Sequence, residues 1–141
     1  MLSDYDLSEV LSSARTVAVV GLSNRPERAS YAVASYLQRH GYQVIPVNPM
    51  ISGTVLGQRV YPNLRDIPVR VDIVNVFRRS EFVPPVASDA IAIGAQALWL
   101  QVGVTNQNAI ERARAAGLFV VQDRCIAIEH RRLSRYAEVA Y

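Results

Sequence analysis

The sequence predicts an α/β fold, a five-stranded parallel sheet with helices on both faces, and three observations carry that expectation. Short apolar runs such as 16–20 and 118–122 alternate with stretches in which apolar residues recur every three or four positions, the two periodicities of strand and helix. The connections are short, and a strand, a helix and a second strand joined this way close as a right-handed crossover between parallel neighbours. Three of the helical stretches stop at a glycine, Gly41, Gly94 or Gly117, just before the next apolar run. At 141 residues, one domain spanning 1–141 is expected, large enough to bury about two-thirds of its unfolded surface.

Residues 4–14 read as a leading helix, with Ser3 or Asp4 as N-cap and Leu7, Val10, Leu11 and Ala14 on one face. The first strand, 16–20, ends at Gly21. From Ser30 to His40, Tyr31, Val33, Ala34 and Leu37 form an apolar helical stripe, and a second strand covers 43–47. Between Pro49 and Pro68, Gly53, Gly57, Pro62 and Pro68 break any long element, so a short strand or helical turn near 55–61 replaces a full crossover helix. The third strand is 71–77, with Asp72 near its start. Pro84 and Pro85 suit a first helical turn that continues as 86–93, and 97–101 is the fourth strand. Asn106 caps a helix holding Ala109, Ile110, Ala113 and Ala116, and 118–122 is the fifth strand. Arg131, Arg132 and Arg135 read as a solvated helix face. The whole is a Rossmann-like arrangement.

Composition narrows the function. Half the residues are hydrophobic and 19% are charged, as in a compact globular fold. No apolar run is long enough to span a membrane, and the start, Met1 to Asp6, is acidic where a signal peptide is basic, so a cytoplasmic protein with no membrane association is expected. Cys125 is the single cysteine, which fits a reducing compartment and gives no metal-ligand cluster. Cys125 and His130 lack the orienting third group of an activated nucleophile, and no catalytic residue is assigned. All 15 cationic side chains are arginine, spread in small groups rather than along a basic stripe, so no nucleic-acid partner is expected.

Ligands of an open parallel sheet bind beyond the carboxyl ends of its strands. After the first strand come Gly21, Leu22, Ser23, Asn24, Arg25, Pro26, Glu27, Arg28, Ala29 and Ser30. Glycine admits a close approach of backbone, the helix start offers unpaired amides, and two arginines grip phosphate bidentately. At the second tip, Asn48 stands where a dinucleotide site places an acid for the ribose, which disfavours NAD and tolerates an anionic group. At the third, Phe77 beside Arg78 and Arg79 joins a flat apolar ring to two cations.

These residues resemble a known family. The stretches 19–26, Ser30 with Val33, 41–49, 76–79, 97–103 and 123–125 are similar, in order and spacing, to the bacterial CoA-binding protein family, stand-alone relatives of the CoA-binding domain of the succinyl-CoA synthetase α-subunit. The resemblance spans roughly residues 7–133. It implies coenzyme A as the cofactor, with its pyrophosphate at Gly21 to Arg28 and the following helix start, Ser30 and Tyr31 included. Val47, Asn48 and Pro49 would border the adenosine, and Phe77, Arg78, Arg79 and Val83 would line the adenine and phosphate side. The thiol end would fall near Gln101, Gly103 and Asn106, or near Cys125.

Neither His40 nor His130 corresponds to the synthetase phosphohistidine, so binding of CoA or an acyl-CoA without catalysis is the leading expectation. The alternatives are an NAD(P)-binding oxidoreductase or redox sensor, and a subunit of a two-part acyl-CoA ligase. Beyond the small-molecule ligand, a homodimer or an unidentified protein partner stays open, with Trp99 or Tyr136 as aromatic markers of such a face.

Overall fold

The structure, a computed structural model, describes residues 2–139, with side chains through Ser134. Helix α1 (Asp4–Ser13) starts where the Ser3 hydroxyl accepts a hydrogen bond from the Asp6 amide at 3.1 Å. Then come β1 (Thr16–Val20), α2 (Ala29–Arg39), β2 (Gln43–Val47), the two-residue strands β3 (Thr54–Val55) and β4 (Gln58–Arg59), and β5 (Ile73–Val76). The chain continues through α3 (Val83–Ala92), β6 (Ala97–Leu100), α4 (Gln107–Ala115), β7 (Phe119–Val121) and α5 (Ile126–Val139).

Five strands make one parallel sheet in the order β2-β1-β5-β6-β7. The chain steps outward from β1 to β2, then returns to the other side of β1, so its direction of winding reverses between β1 and β5. That reversal leaves a crevice at the carboxyl ends of the two strands.

Side-chain alternation divides the core into two layers. Val17, Val19, Val44, Ile73 and Trp99 pack under α1, α2 and α5 with Leu7, Leu37 and Ile126. Ala18, Val20, Ile45, Val74, Val76 and Leu98 face α3 and α4 with Val83, Ala87 and Ile110. Strands buried on both faces are why they read as unbroken apolar runs rather than alternating ones.

The expected elements are all present, with four refinements. The third strand begins later than 71, because the Asp72 carboxylate turns back to accept from the amides of Arg15 (2.8 Å) and Thr16 (3.1 Å). The irregular segment holds the antiparallel β3–β4 hairpin and a 3₁₀ turn, Leu64–Asp66, and sets Tyr61 beside Val47. Trp99 is no surface marker: it is fully buried and its indole N–H donates to the Arg124 carbonyl at 2.8 Å. Arg132 is more than a solvated side chain, since it grips both Asp4 oxygens at 2.9 Å and Glu129 at 2.6 Å, joining α1 to α5. The side chains of Arg135 and Tyr136 lie outside the described residues. Among the described residues no helix is long and apolar enough to cross a membrane.

Candidate functional site

The β1–β5 junction is the geometric centre of the site. Gly21 holds φ at +85° and hydrogen-bonds through its amide to the Val47 carbonyl at 2.8 Å, while the Phe77 amide donates to the Val20 carbonyl at 2.8 Å. These bonds draw the tips of β2, β1 and β5 together. A Cβ on residue 21 would overlap the Phe77 carbonyl oxygen, so glycine is required by space as well as by backbone angle.

One cleft, of about 360 Å³, opens on the α2 side and is lined by Gly21, Ser23, Arg25, Arg28, Ala29, Ser30 and Phe77. Its loop is shaped from within. The buried Ser30 hydroxyl accepts from the Ser23 amide at 3.1 Å, and the Ser23 hydroxyl accepts from the Arg25 amide at 3.1 Å. No side chain caps α2, and among the described residues the Ala29 and Ser30 amides that open it have no partner, at the positive end of the helix dipole. Arg25 and Arg28 are exposed and, among the described residues, make no ion pair.

A second cleft, of about 230 Å³, lies across the junction on the α3 side, lined by Val20, Val47, Pro49, Pro62, Asn63, Leu64, Arg78, Phe82, Pro85, Val86 and Asp89. It is mainly apolar, a slot suited to a flat ring. Arg78 stands in it with a buried Nε that has no hydrogen-bond partner among the described residues, a donor left open. Asp89 brings one acid to the wall, but it is neutralised by Arg65 at 2.6 Å.

The structure therefore brings together Gly21, Ser23, Arg25, Arg28, Ser30 and Phe77 on one side, and Val47, Pro49 and Arg78 on the other. Phe77 and Arg78, read together in the sequence, point to opposite sides of the sheet: Phe77 packs on the α2 layer and Arg78 faces the second cleft. The remaining expected residues line neither cleft. Leu22 and Val83 are fully buried core, Tyr31 packs against the α2 layer, and Asn24 and Arg79 are exposed in their loops. Asn48 is a brace: its Nδ2 donates to the Leu22 carbonyl at 3.1 Å and its Oδ1 accepts from the Met50 amide at 2.9 Å. Gln101 is buried and caps α5, its Oε1 accepting from the Ile126 amide at 3.0 Å. Gly103 donates through its amide to Asp123 at 2.7 Å.

Sequence reasoning passed over Phe82, an aromatic ring 53% exposed at the mouth of the second cleft. It sits on a single 3₁₀ turn, Ser80–Phe82, that has no readable periodicity; only its place just before two prolines signals it. The wall of Pro62 and Leu64 was hidden in the irregular segment for the same reason.

A parallel sheet with an arginine-lined crevice at its winding reversal defines a single Rossmann-like α/β domain. The chain belongs to the CoA binding domain family, whose model matches residues 15–131. It is 41% identical over 128 residues to the uncharacterized protein YneT of Bacillus subtilis, covering 91% of this chain and 94% of that one. It is also 28% identical over 130 residues to the α-subunit of an ADP-forming acetate–CoA ligase of Pyrococcus furiosus, covering 80% of this chain but 28% of the ligase subunit. Among solved structures, a hypothetical protein of Pyrococcus horikoshii superposes with a TM-score of 0.91 at 39% identity, covering 94% of this chain and 92% of that one.

Proposed function

We propose that the protein binds coenzyme A or an acyl-CoA in the cytoplasm by its nucleotide end, without catalysis of its own. The observation that carries this reading is the pairing of two clefts across one junction, one with open helix amides and two unpaired arginines, the other apolar with an unsatisfied Arg78 donor. Coenzyme A presents a pyrophosphate, a further ribose phosphate and a flat adenine, the three chemistries these walls complement. Arg25, Arg28 and the first turn of α2 would hold the pyrophosphate; Arg78 would meet the ribose phosphate; Val47, Pro49 and Phe82 would enclose the base. A thermal-shift series with CoA, dephospho-CoA, acetyl-CoA, NAD and NADP tests it, since a ligand of the native state raises the melting temperature by mass action. CoA and acetyl-CoA should stabilise most and NAD least; equal response to NAD overturns the reading.

The similarity to the ligase α-subunit favours a second reading, in which this domain completes an acyl-CoA ligase with a separate subunit. Copurification of such a subunit, followed by CoA-dependent acyl transfer that neither protein performs alone, would support it.

A further inference from the structure

At the opposite rim of the sheet, where β1 and β2 begin, a cavity of about 330 Å³ is enclosed by α1, the end of α2 and α5. Its polar lining is Ser8, Ser12, Arg15, His40, His130 and Ser134. The chain has two histidines in all, and both are here.

Each imidazole is fixed by one nitrogen. His40 Nδ1 lies 2.8 Å from the Tyr36 carbonyl oxygen, and because a carbonyl only accepts, Nδ1 carries the proton and Nε2 is the free position. His130 Nδ1 lies 2.8 Å from the Tyr36 hydroxyl. The His40 ring stacks on Tyr36 at 4.0 Å between centroids and meets the His130 ring edge-on at 5.3 Å. A proton on Nε2 of His40 turns that atom into a donor.

Two helix ends abut this cavity, but the carbonyls there that would draw a cation are engaged. Val10 accepts from the Ala14 amide, Leu11 from the Tyr42 hydroxyl, and Tyr36 and Leu37 from the amides of His40 and Tyr42. The Ser12 and Ser134 hydroxyls donate to the Glu9 and His130 carbonyls, so among the described residues the groups left open are the Arg15 guanidinium, the Nε2 atom of each imidazole and the Ser8 hydroxyl. Among the described residues no carboxylate lines the space. Among the described residues the charged groups around the histidine pair are Arg15, preceding β1, and Arg131 of α5, which lies over the Tyr36 ring at 5.1 Å; Tyr36 and Tyr42 are the other titratable neighbours, and the polar groups α1 presents are Ser8 and Ser12.

We infer that this cavity is a second ligand site, separate from the nucleotide clefts, that takes a small oxyanion, a phosphate or carboxylate group held by Arg15 and the protonated histidines. An anion there relieves the mutual repulsion of two imidazolium rings, so binding tightens as pH falls through the histidine range.

The histidine ring signals in a ¹H–¹³C NMR spectrum report on this cavity alone. Inorganic phosphate added at constant ionic strength should move both signals saturably and raise the titration midpoint of His130 by about one pH unit. Sodium acetate in a parallel titration separates carboxylate from phosphate preference, and saturation by either supports the site. The response should survive in an Arg25→Gln, Arg28→Gln variant, whose nucleotide cleft is disabled, and disappear in Arg15→Gln and in Ser8→Asp, which places a fixed carboxylate in the cavity. A shift reproduced by chloride, a shift that does not saturate, or a full response in both cavity variants overturns the inference.

Discussion

Gly21 lies so close beneath Phe77 that the two residues share one point of the sheet edge, with no room for a β-carbon between them. Gly21→Ala must both leave the left-handed region and push the β5 tip aside, at a cost of about 2 kcal/mol or more. Urea denaturation should register that loss, and the stabilisation by CoA should shrink with it because both clefts hang on this junction.

Replacing Arg25 and Arg78 together by glutamine should leave the unliganded melting temperature nearly unchanged, since neither makes an ion pair among the described residues. Each charge-assisted hydrogen bond to phosphate is worth about 1.5–3 kcal/mol, so CoA affinity should fall at least about tenfold per arginine. Calorimetric titration with CoA measures it; unchanged affinity would place the phosphates elsewhere.

Asn75, in the middle of β5 between Val19 and Trp99, is fully buried, and among the described residues neither of its side-chain polar atoms has a hydrogen-bond partner. Asn75→Leu keeps the shape and removes the unsatisfied amide, and should stabilise the fold by about 1–2 kcal/mol. A lowered denaturation midpoint would contradict that account.

Burial, then the neighbouring His40, holds the His130 imidazole below its ordinary value of 6.5. Folding thus favours its neutral form: the stabilisation is present above 6.5 and is lost as pH falls from there through the lower folded value. Tyr42 mirrors it at the alkaline end, where burial pushes its hydroxyl up to about 12, so its contribution is whole below 10 and lost as pH rises toward 12. Denaturation midpoints followed from about pH 7 to 5 should decline, and His130→Phe should flatten the decline.

Much of this was legible in the chain itself. The strand at 16–20, the cap at Asn106 and the stop at Gly41 follow from local rules that tertiary packing left intact. The shape of the 21–30 loop was readable for the same reason, since the Gly21 turn and the Ser23–Ser30 and Ser23–Arg25 bonds span only a few residues. Asn48 and Gln101 were not, because their amides are consumed by partners far away in sequence, Leu22 and Ile126. The opposed directions of Phe77 and Arg78 follow from strand alternation carried past the end of β5, a signal present in the sequence but overridden by their adjacency.

The loops at the carboxyl edge of the sheet are stitched to one another. Ser80 accepts from the Thr105 amide and, through its carbonyl, from Asn106, while Asp123 accepts from Gly103. Three segments of the receiving edge are thus set before any guest arrives, and association surrenders little chain freedom there. Affinity differences among acylated guests should accordingly be expressed as changes in departure rate far more than in arrival rate.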